Sequence, residues 1–424
     1  MRSRVLFLSA CLATGVGASG AAQQQAPASA PADAAPDPVK VLVDRLDLEK
    51  YKATIKGLTQ FGDRRQGTDR NRAAVDWIEA QLKSYGCTNT ERIKYDYKPA
   101  AGRGTGQGRG EGAGAGQGRG EGGAAAQGQG RGRGRTGQGG STIFGTRRPT
   151  GVNNDPNKQP DETLRELNRQ PTTPGPRDEV YCTKIGTTRP NEMYIIGGHM
   201  DGIGWGEAAN DDGSGTALVM EIARILSMPD VKTERSIRFA LWNNEESGLN
   251  GAQAYVDQRK DLQGTENPPG SGQYPEPKWL GMIQHDMMLF DHGMPGPDGT
   301  VSPEQRREAD VNIEFQSTSR MAEPSQKLAW FLKAANEKYA TDYPAAVGPH
   351  MTNTDSRPFQ DLIPAISLRE NERGAQIGGG WDPHWHQPTD VYATFSDKDF
   401  RLGLNAAQTT LAALAQLTGA TVGK

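Results

Sequence analysis

The sequence predicts an α/β layered domain. Short apolar runs at Val180–Ile185, Met193–Ile196, Ser236–Trp242 and Trp279–Ile283 read as strands. Segments with helical apolar spacing separate or follow them, at Thr216–Leu226, after Gly251, across Ser325–Tyr339 and over Asp397–Leu417. Strands that alternate with helices pack as helices on a sheet. A further observation agrees with this: clusters of acids and histidines fall just after the strand-like runs, where an open α/β sheet gathers its site.

Along the chain, Arg2 and Arg4 precede the apolar run Val5–Ala13, and small residues follow around Gly17–Ala22. That order predicts a secretory signal over residues 1–22 and an exported protein, periplasmic or secreted. The run is too short for a permanent span, and no other segment reads as transmembrane, so no stable membrane span is expected. Leu8-Ser9-Ala10-Cys11 also has the form of a lipoprotein box, which makes a lipid on Cys11 the alternative. Residues 23–38, rich in Ala, Pro and Gln, read as a disordered linker.

The main domain is then expected over 39–424. Leu42, Leu46, Tyr51, Ile55 and Leu58 recur at helical spacing, and a helix from about Arg72 to Tyr85 buries Ala74, Trp77, Ile78 and Leu82 before Gly86 stops it. Cys87–Tyr97 alternates as a strand does. Residues 102–140 are almost wholly Gly, Arg, Gln and Ala, and loose polar sequence continues to Asp178. Too little apolar surface is available there to offset ordering entropy, so a low-complexity, disordered insertion is expected over about 102–178. Such Gly/Arg tracts also occur in RNA-binding proteins, but a solvated surface loop suits an exported chain better. A net charge of −3 and a mean hydropathy of −0.70 give no global case for nucleic acid as a partner. Cys87 and Cys182 are free to form a disulfide after export; the other reading is a pair of small buried hydrophobes.

Five short clusters carry the chemistry. Gly198-His199-Met200-Asp201 follows the strand Met193–Ile196, and Asp201 stands where it can steady the ring of His199. Asn210-Asp211-Asp212-Gly213-Ser214-Gly215 opens a helix, where a carboxylate is often only a cap. Glu245-Glu246-Ser247-Gly248 follows Ser236–Trp242, and His285-Asp286 follows Trp279–Ile283. His384-Trp385-His386-Gln387-Pro388-Thr389-Asp390 precedes the last helix. One shared crevice explains them together better than five unrelated surface features. Mixed imidazole and carboxylate donors suit zinc and argue against an all-oxygen calcium cage.

In this order the clusters resemble the M28 family of zinc aminopeptidases and related carboxypeptidases. The segment Leu58–Gly86, with Arg64, Gly67-Thr68 and Asn71, shares the likeness. The resemblance implies a zinc exopeptidase-like fold: one catalytic domain with a mixed β-sheet sandwiched between helices. It implies two zinc ions and peptide substrates. Asp211 would bridge the ions, through a cis peptide to Asp212; His199 and Asp286 would complete one shell, and Glu246 and His386 the other. Glu245 would be the general base, with Asp201 behind His199 and Asp390 behind the site. In some members a tyrosine stands where this chain has Trp385, and a histidine where it has Ser356 after Asp355. Arg357 next to it is a candidate for substrate selection, and His285, His350 and His384 are assigned to structural or rim positions. An aminopeptidase is the expected activity. The alternatives are a carboxypeptidase or dipeptidase, a one-zinc glutaminyl cyclotransferase, and a non-catalytic binding protein. The Asn210–Gly215 segment matches the peptidase form, and no ligand is missing.

Overall fold

Apolar residues on neighbouring positions of the same strands sort to opposite sides of the sheet, which places core on both of its faces. Phe239 and Leu241 join one buried cluster while Ala240 and Trp242 join the other, and Ile196 and Ile195 divide in the same way. A strand sends successive side chains to opposite faces, so a sheet covered on both sides needs near-continuous apolar strands. The computed structural model describes residues 36–87, 89–97, 151–290, 311–349, 353–370 and 382–423.

Ten strands are described: β1 Thr90–Tyr97, β2 Gly175–Lys184, β3 Arg189–His199, β4 Val231–Lys232, β5 Arg235–Trp242, β6 Lys278–His285, β7 Val311–Phe315, β8 Ala345–Gly348, β9 Ala365–Glu370 and β10 Thr421–Val422. The helices are α1 Pro38–Val43, α2 Leu48–Thr59, α3 Asp69–Ser84, α4 Glu162–Asn168, α5 Gly213–Leu226, α6 Asn250–Arg259, α7 Ala322–Tyr339 and α8 Asp397–Leu417. Eight of the strands form one mixed sheet in the order β1-β2-β5-β3-β6-β9-β7-β8, and β10 pairs with β4 apart from it. Its centre, β5-β3-β6-β9, is all parallel, so the carboxyl ends of these four strands share one edge.

Helix α5 is apolar on nearly every side and is buried along almost its whole length, as a helix packed between a sheet and other helices must be. It lies against β3 and β5, with α2 and α8 outside it. Ser396 and Asp399 close a capping box at the start of α8. On the opposite face α6 brings Ala252, Tyr255 and Val256 onto Trp242, Trp279 and Phe359. Arg238 of β5 is buried in this layer; it is held by Glu276 Oε2 at 2.5 Å and lies 4.3 Å from the Tyr181 ring.

The mixed sheet between helices matches the expected fold class. The helices and strands expected from the sequence lie within a few residues of the observed ones, but β4, β7, β8, β9 and β10 were not foreseen. The loose stretch expected to reach Asp178 ends earlier. Residues 156–158 form a single 3-10 turn, α4 follows, and β2 begins at Gly175. Hydrogen bonds rather than apolar burial order this part: Gln159 Nε2 donates to Trp205 O at 2.7 Å and Pro388 O at 3.0 Å, and Asn168 Nδ2 to Gly206 O at 2.8 Å. The chain from Asp37 onward forms one compact unit, with Asp37 capping α1 where the linker was expected to run to residue 38. The signal segment 1–22 with Cys11, the linker up to 35, the Gly/Arg tract 102–140 and His350 lie outside the described residues. Among the described residues no helix is long and apolar enough to cross a membrane.

Cys87, just after α3, and Cys182 of β2 are joined as a disulfide across a sequence separation of 95. Closing so long a loop stabilises the fold by about 2–5 kcal/mol. Protein unfolded without reductant should therefore show neither cysteine accessible to a maleimide reagent when peptides are mapped. Labelling of either residue under those conditions would contradict the bridge.

Candidate metal centre

The carboxyl-terminal edge of the parallel strands places each cluster. His199 is the last residue of β3, Asp286 follows β6 directly, and Glu245 and Glu246 lie just beyond β5. Asp211 and Asp212, joined by a cis peptide bond, stand at the start of α5 with Asp212 as its N-cap. Close backbone packing makes this possible. A Cβ on Gly198 would lie 2.7 Å from the Gly215 carbonyl carbon, and one on Gly215 would lie 2.5 Å from His285 O.

Asp212 is a cap, but its carboxylate does more. Oδ1 accepts from Gly215 N at 2.8 Å and Met287 N at 3.1 Å, while Oδ2 accepts from His199 N at 2.9 Å. One side chain thus fixes the end of β3, the start of α5 and the exit from β6. Asp211 is consequently left facing the crevice. Its Oδ1 lies 3.2 Å from His199 Nε2 and its Oδ2 lies 3.0 Å from His386 Nε2.

Among the described residues two donor groups result, His199 with Asp211 and Asp286, and Asp211 with Glu246 and His386, each with ligand atoms within 4.8 Å of one another. Asp211 belongs to both. Glu246 Oε2 is 2.9 Å from His386 Nε2. Glu245 belongs to neither group, although its Oε2 comes within 4.0 Å of His199 Nε2. The geometry therefore distinguishes the two adjacent acids, which composition and spacing leave equivalent.

The charges fit a cation. Burial alone would lower the proton affinity of His199 and His386, yet the surrounding carboxylates outweigh it. Glu245, Asp211 and Asp286 hold His199 well above the usual imidazole range, and Glu246 and Asp211 hold His386 at about 10. Burial raises Glu245 well above the usual carboxylate range, and raises Glu246 to about 7. Glu246 Oε1 is buried with no hydrogen-bond partner among the described residues, an atom that calls for a positive ligand. Imidazole nitrogens and carboxylate oxygens aimed at two common points are a donor set that suits zinc.

The surrounding residues hold these donors in place. His199 Nδ1 lies 2.9 Å from the main-chain carbonyl of Asp201. A carbonyl only accepts, so Nδ1 carries a proton and Nε2 is the nitrogen turned towards the other donors. The acceptor is thus the Asp201 backbone, whereas its carboxylate receives Glu245 N–H at 3.0 Å. Asp390 accepts from Asn210 N at 2.8 Å and Asp211 N at 3.1 Å. Arg64, fully buried at φ 53°, donates to the carbonyls of Met200, Glu207 and Ala208 at 2.7–2.8 Å. Asn71 bonds to Arg64 O at 2.7 Å and to Asn243, two residues before Glu245.

Several features were not anticipated from the sequence. Arg369 of β9 donates to Asp286 Oδ2 at 2.7 Å. Glu370 and Asp382 both accept from Asn210 Nδ2. A Leu-Arg-Glu sequence ending a fully buried strand was the signal available for the first two. Other residues sit away from the donors. His285 is buried between Gly197 O at 3.0 Å and Thr410 Oγ1 at 2.9 Å, and burial lowers it to about 4. His384 Nδ1 lies 2.8 Å from Thr389 Oγ1. Asp355 is buried and accepts from Gln284 Nε2 at 3.4 Å, Ser356 beside it is buried, and Arg357 is exposed.

Comparison with known proteins bears on the family and the fold. The model of Peptidase family M28 matches residues 180–410. An aminopeptidase of Pseudomonas aeruginosa is 30% identical over 149 residues, which are 34% of this chain and 27% of that protein. The chain thus covers little more than a quarter of the length of that curated relative. The fold is similar to BSAP, a zinc aminopeptidase from Bacillus subtilis, with a TM-score of 0.54 and 15% identity over 89% of this chain and 96% of that one. It is also similar to the glutaminyl cyclase of Porphyromonas gingivalis, with a TM-score of 0.51 and 17% identity over 88% and 99%. With a match over more than half its length, through every strand that bears a donor, the chain belongs to Peptidase family M28.

Proposed function

We propose that the chain is a two-zinc exopeptidase that removes N-terminal residues from peptides. The observation that carries this reading is Asp211, shared between two donor groups, with Glu245 close to His199 and part of neither group. His199 and Asp286 would hold one ion, and Glu246 and His386 the other, with Asp211 between them. When bound, the two ions supply an activated water and polarise the scissile carbonyl.

The remaining work falls to the chain itself. Glu245 takes the proton from the attacking water and hands it to the leaving amine, a role that suits a carboxyl beside the donors but not committed to them. The hydrogen bond from its main-chain N–H to Asp201 fixes where that carboxyl starts. Asp201 is in this sense a positioning residue, since it acts through Glu245 and His199. Arg369 steadies Asp286 from behind. A substrate's free amine would find a carboxylate-rich rim here, which favours aminopeptidase over carboxypeptidase or dipeptidase action. The glutaminyl cyclase likeness supports a second reading, cyclisation of N-terminal glutamine with one zinc, but the second complete donor group weighs against it. We propose that the enzyme works outside the cytoplasm, because Arg2 and Arg4 precede an apolar run of signal-peptide length. An intact mass retaining residues 1–22 in protein recovered from its host would contradict that placement.

Glu245→Gln tests the reaction. It should lower kcat by about 10²–10⁴-fold on peptides with a free amine, while bound zinc is unchanged. Wild-type enzyme should leave N-acetylated copies of the same peptides intact. An active Gln variant would remove Glu245 from the mechanism, and cleavage of blocked peptides would exclude the aminopeptidase reading.

A further inference from the structure

The two histidines of the centre are held in different ways. His199 has a hydrogen-bond acceptor behind it, the Asp201 carbonyl at 2.9 Å from Nδ1. His386 has none: its Nδ1 is buried and finds no hydrogen-bond partner among the described residues. A metal-binding imidazole normally donates its other N–H to an acceptor, which fixes the ring and strengthens it as a ligand. At His386 another contact occupies that place. The indole of Trp385 lies flat against the imidazole, with ring centroids 3.8 Å apart and planes 23° apart.

The backbone makes this stack of adjacent residues possible. His386 has φ 55°, and its carbonyl is fixed by Asn153 N at 3.0 Å. Gly204 lies so close that a Cβ there would be 2.3 Å from the His386 carbonyl carbon. The main chain is therefore fixed, and only rotation of the imidazole about its side-chain bonds is left to restrain. Burial and the stacked indole restrain it by contact, without strengthening Nε2 as a hydrogen bond donated by Nδ1 would.

We propose that Trp385 is the positioning residue for His386, standing in for the missing hydrogen bond, and that the ion held by Asp211, Glu246 and His386 is the more weakly held of the two. The inference rests on the two-ion reading above. It also gives this chain's tryptophan a role towards a ligand, distinct from any help to the reacting carbonyl.

Zinc titration in competition with a chromophoric chelator tests it on protein first stripped of metal. Wild type should take up two ions of unequal affinity. Trp385→Ala should keep the tighter ion and weaken the other by about 10–100-fold, and Trp385→Phe, which keeps a ring to stack, should restore most of that loss. A purely structural role would instead weaken both ions together and would not be rescued by Phe. Unchanged affinities in Trp385→Ala, or equal weakening of both ions, would overturn the proposal. A wild-type titration that stops at one ion would sink the two-ion reading itself. Unchanged affinity for that single ion in Trp385→Ala would then still remove the role given to Trp385.

Discussion

The centre depends on one buried carboxylate. Asp212 is fully buried, and a carboxylate in that position is tolerated only if several donors replace its water. Three main-chain N–H groups do so, from His199, Gly215 and Met287. These amides come from the end of β3, the start of α5 and the exit from β6. A charge placed to cap a helix therefore also sets the spacing of two strand ends. His199 and Asp286 face each other across that spacing, and Asp211 is aimed between them because its neighbour is fixed.

The second half of the centre is assembled differently. Glu246 comes from the end of β5, but His386 comes from a loop that belongs to no strand. That loop is held by polar contacts from distant segments: Asn153 to the His386 carbonyl, Gln159 to the Pro388 carbonyl, and Asp390 to the amides of Asn210 and Asp211. Arg64 fastens the adjoining loop through the carbonyls of Glu207 and Ala208. One donor group thus rests on the sheet and the other partly on hydrogen-bonded loops. The difference between the two histidines follows from that division.

Much of this was legible in the sequence, because the central strands are buried on both faces and read as apolar runs, and because each run ends in an acid or a histidine. Strand β9 escaped notice for a physical reason. Its last residues, Arg369 and Glu370, are charged, and their burial is offset by polar partners: Arg369 donates to Asp286, and Glu370 accepts from Asn210 and from Phe290 N. The order in residues 153–168 was hidden likewise, since amide side chains create it and no apolar pattern betrays it. Neighbouring acids posed the hardest case. Nothing in the sequence ranks Glu245 against Glu246, and the 2.9 Å approach of Glu246 to His386 is what brings one of them into a donor group. The hydrogen bond behind His199 goes to the Asp201 backbone, a partner that a side-chain pattern cannot reveal.

The shared position of Asp211 is the claim on which the functional reading turns, and metal content measures it most directly. Elemental analysis should find two zinc ions per wild-type chain and loss of both in a folded Asp211→Ala variant, because each donor group loses a member. One ion per wild-type chain, or two retained by the variant, would contradict a centre built around that carboxylate.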